Sequence, residues 1–125
     1  MISIDLASQV PLATQIEQAL RCAIAIGEIV PEQELPAVRQ LAGDLEVNFN
    51  TVARAYRALE TSGLVQTSRG RGTFVSAVVE VDKTRALNRA LAGIRQALAD
   101  ARLAGVKKQE IEAILSEEAA AFWRR

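Results

Sequence analysis

The sequence contains no histidine and a single cysteine, Cys22, in 125 residues. Without histidine it lacks the commonest general base and the commonest metal ligand. One thiol cannot close an internal disulfide, which predicts a reducing, cytoplasmic setting. No apolar run approaches the roughly 20 residues of a membrane span; the longest clear one is Cys22 to Ile26. The opening Met1-Ile2-Ser3-Ile4-Asp5 has no basic region followed by an apolar stretch, so no secretory signal is expected. There is no phosphate loop and no carboxylate cluster at ligand spacing, so neither enzyme chemistry, a cofactor nor a metal is expected. Aromatic residues make up only 4%, too few for a surface that stacks single-stranded bases, which leaves duplex grooves as the nucleic-acid target worth testing.

What is present is alanine, 22 residues of it, within an apolar fraction of 50%. Alanine favours helix, and that much apolar side chain with 24% charge does not describe a disordered chain. The length suits one small domain plus an accessory helical segment.

The formal charge is zero, 15 basic against 15 acidic side chains, but it is unevenly spread. Residues 1–35 carry Arg21 against five carboxylates, a net of about −4. Residues 36–76 carry Arg39, Arg54, Arg57, Arg69 and Arg71 against Asp44, Glu46 and Glu60, about +2. All the cations of this middle segment are arginines, whose planar fork suits phosphates and guanine edges.

Ile2 and Ile4 alternate with polar residues, an edge-strand pattern. Pro11 suits a first helical position with Ser8 as cap, and Leu12, Ile16, Ala19, Leu20 and Ala23 predict a helix to about Ile26, ended by Gly27. Cys22 lies inside it and reads as a small hydrophobe. Pro31 and Pro36 bracket an irregular acidic connection. Val38, Leu41, Ala42 and Leu45 then share one face of a short helix. After Glu46-Val47-Asn48, with Asn48 as N-cap, Val52, Ala55, Tyr56 and Leu59 turn inward from the next. Two short helices joined by so tight a turn pack crosswise as a helix-turn-helix. Gly63 ends the second. Leu64–Thr67 and Thr73–Val75 read as strands about Ser68-Arg69-Gly70-Arg71-Gly72, whose glycines supply the positive φ of a hairpin tip. Beyond about Val81, Leu87, Leu91, Ile94, Leu98 and Ala101 recur at four and three, a short heptad-like seam. Gly105 interrupts it, and a second amphipathic helix carries Ile111, Ile114, Leu115 and Phe122.

The order helix, helix, helix, hairpin is that of a winged helix. In such a unit the second helix of the turn enters the major groove N-terminal end first. Asn50, Arg54 and Arg57 lie on the face that Val52, Tyr56 and Leu59 leave free; asparagine pairs with adenine, arginine with guanine or phosphate. The amides at that helix start favour phosphate. Arg39 is placed to reach the same groove or its phosphates, and Arg69 and Arg71 at the wing tip an adjacent minor groove, with Gly70 allowing close approach. Structural roles compete: Asn48 as a cap alone, Arg54 and Arg57 paired with acids such as Glu60, Gly70 and Gly72 serving only the turn. Phe49 packs under the wing or on a sugar, and Tyr56 belongs to the core.

Four blocks resemble the winged-helix domain of GntR-type bacterial transcription regulators. They are Leu35-Pro36-Ala37-Val38-Arg39-Gln40-Leu41-Ala42, Val47-Asn48-Phe49-Asn50-Thr51-Val52-Ala53-Arg54-Ala55-Tyr56, Leu59-Glu60-Thr61-Ser62-Gly63-Leu64-Val65 and Arg69-Gly70-Arg71-Gly72-Thr73-Phe74-Val75. The Asn50-Thr51-Val52-Ala53-Arg54-Ala55-Tyr56 run and the short helical tail are similar to the YtrA subfamily. The resemblance implies a homodimer on a double-stranded operator of two-fold symmetry. It implies contacts from Arg39, from Asn48, Phe49, Asn50 and Thr51, and from Arg69 and Gly70. Pro31-Glu32 stands where Pro-Gly is usual, which predicts another turn geometry, and Ala37 removes a serine hydroxyl.

The expected fold is mostly α (α+β). A winged helix-turn-helix with a small hairpin wing occupies residues 1–76, and two C-terminal helices occupy 77–125. The 49-residue tail is too short for an independent core, which leaves no room for the aminotransferase-like domain some relatives carry. Its seam of Leu87, Leu91, Ile94 and Leu98 predicts dimerisation; the alternative is that it covers the chain's own first helix. The expected function is a sequence-specific DNA-binding transcription regulator, a repressor, reading the major groove with residues 49–62 and the minor groove with a wing at 66–75. The main alternative is a winged-helix adaptor that binds protein and no DNA. No ligand pocket is inferred: a small-molecule effector of unknown identity would sit where paired tails meet, or there is none; no membrane is implied.

Overall fold

The computed structural model describes residues 2–77 and 82–124, in the order α1 (Leu12–Ala25), α2 (Val38–Leu45), α3 (Phe49–Thr61), β1 (Val65–Ser68), β2 (Gly72–Val75), α4 (Lys83–Leu103) and α5 (Lys108–Phe122). The chain divides into two units, 1–79 and 80–125.

In the first unit α3 is the central element, packed against α1, α2 and β1. The core is made by the predicted stripes: Ile16, Leu20 and Ala23 of α1, Leu41 and Ala42 of α2, and Val52, Ala55, Tyr56 and Leu59 of α3. Ile29, Leu35, Val65 and Val75 close it. Ile16, Leu20, Val52 and Leu59 are wholly buried, and truncating such a leucine to alanine costs about 2–5 kcal/mol.

The turn between α2 and α3 is closed by Glu46 in the left-handed region (φ 57°) and by the Val47 amide donating to the Ala42 carbonyl at 3.0 Å. Asn48 then caps α3, its Oδ1 accepting from the Asn50 amide at 2.7 Å. Gly63 (φ 81°) ends α3, where the buried Ser76 hydroxyl donates to the Gly63 carbonyl at 2.8 Å. β1 and β2 pair antiparallel from Val65 opposite Val75 to Ser68 opposite Gly72, one residue displaced from the expected bounds.

Four expectations are corrected. Ile2–Asp5 is not a strand; the Gln15 side chain takes the place of a partner strand. Its Oε1 accepts from the Asp5 amide (2.7 Å), and its Nε2 donates to the Asp5 and Val10 carbonyls (3.0 and 2.9 Å). Pro11 occupies the cap position of α1 rather than its first helical turn, and the Ser8 hydroxyl accepts from the Val10 amide in a local turn instead of capping α1. Cys22 is exposed on α1 rather than packed as a small hydrophobe.

The fourth concerns the stretch between Pro31 and Pro36. It is not irregular: it lies along β2 as a third, short strand-like edge. The Glu32 and Leu35 amides donate to the Val75 and Thr73 carbonyls (both 2.8 Å), and the Val75 amide donates to the Gln33 carbonyl at 2.9 Å. Its turn keeps the backbone expected of Pro-Gly, because Glu32 itself adopts φ 69°.

In the second unit, α4 and α5 form a helical hairpin. Asp82 caps α4, its Oδ1 accepting from the Arg85 amide at 3.2 Å. Gly105 (φ 86°) turns the chain, and Glu110 Oε1 accepts from the Lys107 amide at the start of α5. Among the described residues of these helices none is buried. No helix of the described residues is long and apolar enough to cross a membrane.

Candidate nucleic-acid interface

The position of α3 fixes what its outer side can present. Burying Val52, Ala55, Tyr56 and Leu59 turns Asn48, Phe49, Asn50, Arg54 and Arg57 outward, all exposed, with Thr51 half-buried. The Asn48 cap occupies only one of the amides at the helix start, and Asn48 Oδ1 is committed to it. The Asn50 side chain makes no hydrogen bond among the described residues, so its amide is free to pair with a base edge.

The competing pairing of Arg54 or Arg57 with Glu60 does not occur. Among the described residues the sole ion pair is Arg21 with Glu17, at 3.1 Å on α1. Glu60 is engaged elsewhere: its Oε2 accepts from the Thr67 amide of β1 at 3.2 Å. That bond ties the outer side of α3 to the wing and leaves Arg54 and Arg57 with their full charge. An unpaired exposed guanidinium is a weak contributor to stability but a ready phosphate or guanine ligand.

Arg39, the second residue of α2, is exposed, and its guanidinium carbon stands 5.3 Å from the centroid of the Phe49 ring. Phe49 is 44% exposed. Together with Val38, Asn50, Ala53, Tyr56 and Arg57 it borders an open hollow of about 370 Å³, whose other wall is Thr67 and Thr73 of the wing. The start of α3 and the wing strands thus flank one concavity.

The hairpin tip carries Arg69, Gly70 and Arg71, all exposed. The Arg71 amide donates to the Ser68 carbonyl at 2.9 Å, and Gly70 at φ 79° completes the turn. Gly72 has φ 125°, and a Cβ there would stand 3.4 Å from the Glu34 carboxyl, so this glycine serves the fold. Arg71 borders a separate hollow with Glu32, Gln66 and Phe74 and does not join the one beside Asn50.

Tyr56 sits behind this face. Its ring is buried, its hydroxyl donates to the Pro36 carbonyl at 2.7 Å, and burial pushes its pKa from 10.0 up to about 12. It is a core residue, as the helical spacing predicts.

Sequence spacing alone does not reveal the Glu60–wing bond, the Gln15 clamp or the contact of Arg39 with Phe49. Only the last had a visible signal, an aromatic side chain just inside the cap of an otherwise polar helix start.

The four-three seam of α4 is solvent-facing: Leu87, Leu91, Ile94 and Leu98 are 36–60% exposed. On α5, Ile114, Leu115 and Phe122 are exposed too.

The family model of bacterial regulatory proteins, gntR family, matches residues 12–75, the span from α1 through the wing. The HTH-type transcriptional repressor YtrA of Bacillus subtilis (strain 168) is 36% identical over 121 residues, 94% of this chain and 91% of the relative. The structure of YtrA from Sulfolobus acidocaldarius, a GntR-family transcription factor, is similar with a TM-score of 0.61 at 36% identity. It covers 78% of this chain and 97% of that one. The AraR DNA-binding domain in complex with operator ORX1 matches with a TM-score of 0.54 at 28% identity, over 59% of this chain and 92% of that one. The chain belongs to the GntR family of bacterial regulatory proteins, in its YtrA-like branch, and is a DNA-binding transcription regulator.

Proposed function

We propose that this regulator is a cytoplasmic repressor that binds a two-fold symmetric operator as a homodimer. In this reading the start of α3 enters the major groove and the wing tip follows the adjacent minor groove. Asn50 and Arg39 read base edges, Arg54 and Thr51 meet phosphate or base, and the Asn48-Phe49 helix start directs its amides to the backbone. Arg69, Gly70 and Arg71 serve the minor groove. The observation that carries this reading is the freedom of the arginines: Arg39, Arg54, Arg57, Arg69 and Arg71 are exposed and form no ion pair among the described residues. The likeness to a domain solved in complex with operator DNA supports duplex DNA as the partner.

Pairing of two chains through Leu87, Leu91, Ile94 and Leu98 is supported by their exposure along one stripe of α4. Lone two-helix units do not leave such stripes in water without cost, about 25 cal/mol per Å² of apolar surface. A small-molecule effector that altered this pairing would change operator affinity without touching α3.

Footprinting of the full chain on its own promoter region, repeated at several salt concentrations, tests the reading. The expected result is one protected two-fold site whose log affinity falls linearly with log salt. The absence of any protected two-fold site near its own operon would overturn the proposed operator reading.

A further inference from the structure

Arg39 needs something to hold it. An arginine side chain alone on a surface samples many rotamers, and fixing one costs conformational entropy. Elsewhere in the unit the guanidinium of Arg21 is fixed by Glu17 and by the Ser62 hydroxyl. Arg39 has no carboxylate partner among the described residues and instead lies by the Phe49 ring at 5.3 Å.

The two solutions have different chemical consequences. A carboxylate binds a guanidinium along its N–H edge, taking the fork and cancelling the charge. An aromatic ring attracts the cation through its quadrupole and occupies the face, leaving the N–H edge and the charge available. An operator guanine presents O6 and N7 to such an edge. The backbone that bears Phe49 is fixed: it is the first residue of α3, directly after a cap whose bond is 2.7 Å.

We propose that Phe49 is a positioning residue for base recognition, a shelf that sets the Arg39 fork toward a guanine of the operator, and that it acts through Arg39 rather than on the DNA. This rests on the reading of the α3 face as the operator interface, and adds to it which side chain governs the selectivity of Arg39.

The test uses the full chain, its footprinted operator and that operator with each base pair replaced in turn. Wild type, Phe49→Leu, Phe49→Trp, Arg39→Ala and the double variant Arg39→Ala/Phe49→Leu are compared, with thermal melts of each. Phe49→Met replaces Phe49→Leu if the latter is unfolded. The expected loss for Phe49→Leu is about two- to five-fold in affinity, the size of an exposed cation–π contact. It is confined to the guanine positions that Arg39→Ala also loses, and Phe49→Trp restores it. In the Arg39→Ala background Phe49→Leu changes affinity less than two-fold, about the noise of additive sites. An equal loss in both backgrounds, or a loss spread over all positions, overturns the proposal by making the ring a DNA contact or a support of α3. Failure of Phe49→Trp to restore selectivity overturns it as well. If Arg39→Ala and Asn50→Ala both leave operator affinity unchanged, the interface reading fails first, and the shelf with it.

Discussion

The Tyr56 hydroxyl donates to the Pro36 carbonyl across 2.7 Å, so the buried stripe of α3 grips the backbone two residues ahead of α2. The bond fixes how the two helices of the turn meet, and with it the separation of Arg39 from Phe49.

The phenol is a direct reporter of this grip, because the chain has one tyrosine. Its pKa is raised to about 12 in the fold, against about 10 when unfolded. The neutral form is the one the fold favours. Its contribution is therefore complete below pH 10 and is lost as pH rises through about 12. Ultraviolet titration of tyrosinate is expected to show a midpoint near 12 in the native protein and near 10 in denaturant. Tyr56→Phe should cost about 0.5–1.5 kcal/mol at neutral pH, measured by urea unfolding. A native midpoint near 10 would mean that the ring is not buried.

Glu32 holds φ 69°, a conformation that costs a side-chain-bearing residue about 1–2 kcal/mol. Glu32→Gly is expected to raise stability by about 1 kcal/mol once the flexibility of glycine in the unfolded chain is subtracted. Thermal melts of the two proteins decide it, and a lower midpoint for the glycine variant would count against strain at this turn.

Arg54 and Asn50 should fail in different ways. Arg54→Ala, if Arg54 meets phosphate, lowers affinity alike on all duplexes and reduces the slope of log affinity against log salt by about 0.9. Asn50→Ala should cost about 1–3 kcal/mol at one base pair per half-site and leave the slope unchanged. Identical behaviour of the two variants would show that Asn50 does not read sequence.

Leu91→Asp places a charge in the middle of the exposed α4 stripe. Analytical ultracentrifugation is expected to give monomers, and operator affinity should fall with the loss of the second half-site. Retention of the dimer would move the interface off this stripe.

Much of this was legible because it is periodic. Ile16, Leu20 and Ala23, and then Val52, Ala55, Tyr56 and Leu59, mark their buried faces by spacing alone, and Asn48 marks the start of α3. The reading surface followed by subtraction, as what those faces leave outside. Contacts made across sequence distance were not legible. Residues 32–35 carry no alternating pattern, because they pair through backbone atoms that every sequence shares. Gln15 and Glu60 act through single polar bonds, which leave no period to detect. The left-handed backbone of Glu32 was missed because glutamate rarely adopts it.

β2 is hydrogen-bonded on both sides, to β1 and to residues 32–35, whereas a two-stranded hairpin alone is marginal in water. The turn that bears Arg69 and Arg71 thus leads into a strand paired on both sides. Little loop entropy remains to be lost when they meet DNA. In the proposed complex, selectivity between operators would then depend on how well each duplex fits the tip, its groove width and ease of bending included. In the proposed complex, a wing that folded only on contact could adjust to many duplexes, whereas one already paired would ask the DNA to adjust.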